Sequence, residues 1–161
     1  MLILSLFGII VFVTTVILLS YFSILDIRDR QVPNTSIGFA MLLVTILGIL
    51  SGHMFTHFFL RLTAIVSVAV LTLLLFRLGS IGGADAKIAL IVAVGSPGFE
   101  FMVSVNFLFE GVLAAWFQLA VMLIIGFLYQ MRVKDNPERK PAPLIPFLLV
   151  GYLLVQLFAF I

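Results

Sequence analysis

The sequence has no cysteine, one tryptophan and charged residues at 10% of its 161 positions. Without cysteine, disulfides and thiolate metal sites are both excluded. A soluble domain carries roughly 25% charged and 45–50% apolar residues. Here the apolar share is 63% and the mean hydropathy is +1.32. Those values exclude a secreted or cytosolic globule, a disordered chain and a nucleic-acid reader. The length fits a single domain over 1–161 and, at ~20 residues per crossing, at most about seven or eight spans. Nine Lys/Arg against seven Asp/Glu give a net charge of +2 and an isoelectric point near 9.3. In an integral membrane protein, where those cations stand matters more than their sum.

What is present is a series of apolar runs. Met1 to Leu25 contains no charged residue, enough for a first span of ~37 Å at 1.5 Å per residue. It lacks a basic leading region and a small-x-small cleavage site, so a retained first helix is expected rather than a signal peptide. Asp26-Ile27-Arg28-Asp29-Arg30-Gln31-Val32-Pro33-Asn34 follows. Pro33 biases Val32 away from helical geometry, and Asn34 is placed to cap a second span at Thr35 to Leu50. A third is expected from about His57 to Phe76, with Arg61 in its first turns. After a Gly-rich turn, Asp85 to Val94 is helical in character but is interrupted by Gly95-Ser96-Pro97-Gly98. Ten residues are too few for a crossing. A short fourth helix lining a cytoplasm-facing cavity is favoured over a crossing that continues to about Phe101. A fifth span lies within Met102 to Met131, and a sixth covers Pro143 to Ile161. With the 26–34 loop inside, eight of the nine cations (Arg28, Arg30, Arg77, Lys87, Arg132, Lys134, Arg139 and Lys140) fall on the cytoplasmic side, and Arg61 falls outside. The expected fold is all-α and polytopic, with about six transmembrane helices and both termini outside.

Ionisable residues at the edge of a span are functional candidates by default. Asp26 closes the first helix and Asp85 opens the fourth, so two acids far apart in sequence share one membrane depth. Two close carboxylates do not both ionise cheaply: one keeps its proton while the other activates a water. The plainer alternative is that each acid marks a membrane boundary, and composition alone leaves the two readings even. Asp29, between Arg28 and Arg30, reads as a solvated loop charge. Gly82-Gly83-Ala84 tips the balance for the pair, because glycine lets an extended peptide lie close to the turn beside Asp85. Lys87 and Arg28 stand near the acids, where they hold one ionised, attract an anionic group or face cytoplasmic water. The last is preferred for Lys87.

Asp26 through Pro33-Asn34 resembles the first motif of the type IV prepilin peptidases and the archaeal preflagellin peptidases. Gly82-Gly83-Ala84-Asp85-Ala86-Lys87 is similar to their Gly-x-Gly-Asp signature, with Lys two places on. Pro143-Leu144-Ile145-Pro146-Phe147 and the six-span layout also fit, so the resemblance covers almost the whole chain. One departure is Ala84, which stands at the signature's second glycine and whose methyl narrows the cleft without abolishing activity. The resemblance implies a membrane aspartyl endopeptidase with Asp26 and Asp85 catalytic, without metal or other cofactor. It would cleave prepilin-like or preflagellin-like precursors at the cytoplasmic face of the cell membrane, just before their hydrophobic helix. The larger bacterial members add a Cys-rich N-methylating domain. Neither the composition nor the short loop before the second span has room for it, so a peptidase alone is implied.

Other residues weigh less. His53 and His57 are four apart but lie across a span boundary with no carboxylate near, which reads as two interfacial histidines rather than metal ligands. Glu100 and Glu110 belong to the outer side, as interfacial charges or, if buried, as part of an ion path. Trp116 reads as mid-span packing, and Asn106 and Gln118 as interhelical hydrogen-bonding groups. Two rival functions remain at this stage. A small transporter would use Asp26, Asp85 and Glu110 as proton or ion sites, and a non-catalytic assembly factor would only bind pilin helices; membrane lipid is an expected partner of the protein in any case.

Overall fold

The computed structural model describes residues 6–50, 58–96, 107–132 and 142–158. Those residues form six helices: α1 (Leu6–Asp29), α2 (Asn34–Leu50), α3 (Phe58–Arg77), α4 (Gly83–Gly95), α5 (Phe107–Arg132) and α6 (Leu144–Phe158). There is no strand among them. Helices α1, α3 and α5 are long and apolar enough to cross a membrane, whereas α2 and α6 are shorter apolar helices. Helix α4, at 13 residues, covers about 20 Å of a hydrocarbon core roughly 30 Å thick.

Two boundaries differ from the sequence expectation. Helix α1 does not stop at Leu25 but carries Asp26 in its last turn and ends at Asp29, where Arg30 turns into the left-handed region at φ 55°. The charged cluster is therefore partly helical, because charged side chains at a helix end reach water without unwinding the backbone. Asn34 does not cap α2 from outside it. The Pro33 carbonyl takes the Ile37 N–H at 3.2 Å, and Asn34 is already helical, so its carboxamide serves another partner.

Helix α4 is the centre of the bundle. Its Ile88, Ala89, Ile91, Val92, Ala93 and Val94 are buried and join Leu19 and Phe22 of α1, Val44 of α2 and Val68 of α3 in one apolar core. The outward faces are apolar as well: Phe39, Leu50, Phe59 and Phe127 are all more than 60% exposed, as helices facing lipid rather than water require. Trp116 belongs to this outer surface instead of the packed interior. Its ring is 56% exposed and its Nε1 donates to Ser67 Oγ at 3.2 Å. Lipid gives no hydrophobic drive for helix association, so close packing carries it. Helix α5 touches its neighbours through glycine: a Cβ on Gly111 would stand 2.9 Å from the Leu60 carbonyl of α3. On the α6 side, a Cβ on Gly151 would stand 2.8 Å from the Gln118 carbonyl.

The helix directions gather the functional candidates. Asp26 near the end of α1 meets Ile145 at the start of α6, and Lys87 near the start of α4 meets Asn34 at the start of α2. The α3–α4 turn and the last turn of α5 lie at the same end, since Phe76 borders Gly83 and Gly126 borders Leu144. Arg28, Arg30, Arg77, Lys87 and Arg132 thus share one end of the bundle with both acids.

Candidate active site

Each aspartate is fixed by a helix start. The Ile145 N–H of α6 donates to Asp26 Oδ2 at 3.2 Å, although 119 residues separate the two. The first four N–H groups of a helix have no partner within it. In α6 the supply is thin, because Pro146 has no N–H, so Leu144 and Ile145 carry the donors of that turn. A carboxylate there also meets the positive end of the helix dipole. Asp85 does the same for its own helix. Gly82 is the N-cap of α4, and its N–H donates to Asp85 Oδ2 at 2.9 Å, the acid reaching back from the third helical position. One oxygen of each carboxylate is used in this way, which aims the rest of the group without long, free side-chain rotation.

The two groups also sense each other. Burial pushes the Asp85 carboxyl up to about 6; the Gly82 N–H pulls the other way, and the negative charge of Asp26 adds to the rise. Both acids are half-buried. Asp29 is different: it is exposed and pairs with Arg28 at 3.5 Å, a surface contact of little energetic weight.

The glycine turn divides its roles. Gly82 and Gly83 are both exposed. A Cβ on Gly82 would stand 3.0 Å from Asp85 Oδ2, whereas on Gly83 it would meet Phe76 Cε2 at an ordinary 3.8 Å. The constraint therefore sits at Gly82, where a side chain would press on the carboxylate that the backbone N–H holds. Ala84, at the departure from the Gly-x-Gly-Asp pattern, packs its methyl against the apolar core. Lys87 is exposed, yet it does more than face water. Its Nζ donates to Asn34 Oδ1 at 2.9 Å, joining the second motif to the Pro33-Asn34 end of the first. Pro33 itself is exposed and supplies the carbonyl that starts α2.

Sequence reasoning missed two things here. Ile145 has an apolar side chain and contributes through its backbone, so residue type gave no hint; the available signal was the pair of prolines around it, which mark a helix start. Arg61, assigned to the outer side, is 5% exposed inside α3 and donates through Nη1 to the Val94 carbonyl at the far end of α4. Glu110 is also buried, at 4% exposed. His53, His57, Glu100 and Asn106 lie outside the described residues. Among the described residues no group of three or more His, Cys, Asp or Glu is placed to hold a metal ion.

The arrangement brings two acids, one of them with a raised pKa, to the same end of the bundle beside an exposed backbone turn, as water-mediated peptide hydrolysis by paired carboxyls requires. No curated protein and no solved structure matches the chain. The family model of the type IV leader peptidase family does match it, over residues 10–160. That span takes in both aspartates, the glycine turn and all but the ends of the chain, and so the chain belongs to the type IV leader peptidase family.

Proposed function

We propose that this protein is a membrane aspartyl endopeptidase that removes the short basic leader of type IV pilin-like or archaellin-like precursors. The placement of Asp26 and Asp85 at one end of the bundle, each aimed by a backbone N–H, carries this reading. In the active form the pair shares one proton. Asp26, as the ionised partner, takes a proton from a water whose oxygen attacks the carbonyl carbon of the scissile peptide. Asp85 gives its proton to the carbonyl oxygen. The tetrahedral intermediate then collapses: Asp26 returns its proton to the leaving amine as the C–N bond breaks, and Asp85 takes a proton back from a hydroxyl of the intermediate as the carbonyl re-forms. The exposed Gly82-Gly83 backbone lets the extended peptide approach Asp85. No cofactor enters this chemistry.

The cell membrane is the site of action, with six crossings, both termini outside and the dyad on the cytoplasmic side. The clustering of cations at the dyad's end of the bundle supports this orientation. A basic precursor leader would remain on that same side. The transporter alternative needs ionisable groups strung through the membrane. Between Asp85 and the buried Arg61–Glu110 region, α4 instead presents Ile88, Ala89, Ile91 and Val92 to an apolar core.

The test is cleavage of a purified precursor pilin by the protein in detergent. Leader removal is expected from the parent chain, none from Asp26→Asn or Asp85→Asn, and most of the activity from Asp29→Asn. Cleavage that survives loss of either Asp26 or Asp85 rejects the dyad.

A further inference from the structure

The end of α4 opposite Asp85 lies about 14 Å away along the helix axis, too deep for its last carbonyls to reach water. A helix that ends away from water needs partners for those carbonyls, and here α3 supplies one. Arg61 of α3 donates through Nη1 to the Val94 carbonyl. Ser96, which follows α4 and is 1% exposed, lies with its Oγ 3.1 Å from the Tyr152 hydroxyl of α6, itself wholly buried. The guanidinium also stands at the negative end of the α4 dipole, where a cation is favoured.

An arginine buried in a membrane protein pairs with an opposite charge, with backbone carbonyls or with both. The backbones of α3 and α5 meet where Gly111 faces Leu60 and Ala64. Arg61 and Glu110 are each adjacent in sequence to that meeting point, and both are almost fully buried. An apolar core separates this region from the two aspartates.

We propose that Arg61 is the positioning residue for Asp85. With Glu110 as its counter-ion, it clamps the far end of α4 and so fixes the depth and direction at which the helix presents Asp85 to Asp26. The proposal rests on the peptidase reading for its activity arm, and has a second arm that does not. A short helix tied to α2 at one end through Lys87 and Asn34, and at the other by this clamp, is held at both ends. Releasing the clamp lets α4 slide or tilt within its apolar surroundings, and a misplacement of about 1 Å at a reacting group costs on the order of 100-fold in rate.

The experiment uses the full chain in nanodiscs. Because the sequence has no cysteine, Thr35→Cys on α2 and Gly83→Cys on α4 can be spin-labelled as a pair and their distance distribution measured. Cleavage per folded molecule is measured in the unlabelled chain. The double variant Arg61→Met/Glu110→Leu removes the charges together, the replacement that buried ion pairs tolerate best. Its expected result is a folded protein with a broadened label distance and cleavage reduced about 10- to 100-fold. Arg61→Lys, which keeps a cation and donors, is expected to restore a narrow distance and most of the cleavage. If the double variant does not fold, Arg61→Gln, which loses the charge and shortens the reach to the Val94 carbonyl, tests the same clamp and is expected to broaden the distance and lower cleavage about 2- to 5-fold. A narrow parental distance in the folded double variant or in Arg61→Gln overturns the proposal, whatever the rate does. A parental protein that does not cleave rejects the peptidase reading instead, and leaves the distance arm to decide the clamp.

Discussion

Lys87 Nζ and Asn34 Oδ1 lie 2.9 Å apart across 53 residues of sequence, and their hydrogen bond ties the start of α4 to the start of α2. The two residues come from different motifs, so the bond fixes one motif against the other near the dyad. It is exposed, and water competes for both partners, which limits its effect on stability to about 1 kcal/mol. Lys87→Met and Asn34→Ala should each lower leader cleavage by about 3- to 10-fold. Their combination should cost no more than the larger single effect, because both remove the same bond. Kinetics of the double-mutant cycle check this, and fully multiplicative losses would show that the bond is not the shared cause.

Gly82→Ala should impair cleavage at least about 10-fold while shifting the thermal midpoint little. The added Cβ meets the Asp85 carboxylate at 3.0 Å, so it disturbs the aim of that group more than the fold. Gly83→Ala is the control. Its Cβ has room, and replacing glycine within a helix contributes up to about 1 kcal/mol of stability. Parallel cleavage assays and melting curves on the two variants separate the roles.

Raising the pH should switch cleavage off as Asp85 loses the proton the dyad needs. With its carboxyl pushed up to about 6, kcat/KM should fall above that pH, approaching tenfold per unit. Stability moves in the same direction. The folded protein holds this proton up to about pH 6, whereas an unfolded carboxyl releases it near 3.8, so between those values folding binds the proton more tightly than unfolding does. The stabilisation is complete below 3.8 and is lost as pH rises through 6. Asp85→Asn, which keeps an acceptor for the Gly82 N–H, should therefore melt higher than the parent at pH 7.5 by more than it does at pH 4.5. Melting curves at the two pH values test it.

Topology is the most direct prediction. A cysteine replacing Ser80, in the turn before α4, should react with a membrane-impermeant maleimide from the cytoplasmic side alone. One replacing Ser51 should react from the outside alone. Labelling of both from one side would reject the six-crossing orientation.

Composition and charge placement were enough to read a membrane-embedded all-helical chain, because a hydrocarbon solvent demands long apolar runs and leaves cations at the ends. The break at Gly95-Ser96 was legible for a similar reason: glycine next to a short polar residue and a proline ends a helix wherever it lies. The two aspartates stood out because charge is scarce in such a sequence. Their partners did not. Ile145 contributes a backbone N–H, a group every residue but proline carries, so its place beside Asp26 depends on how α6 packs against α1. The division of labour between Gly82 and Gly83 depends on which one faces the Asp85 carboxylate. Arg61 shows the difference most clearly. Along the chain it is a cation near the start of an apolar run, the ordinary signature of a membrane boundary. Tertiary packing turns it inward to the Val94 carbonyl, since the end of the short α4 is buried among the other helices. Local sequence determined which segments are helices and which end of them carries charge; the meeting of helices distant in sequence decided which polar groups face each other.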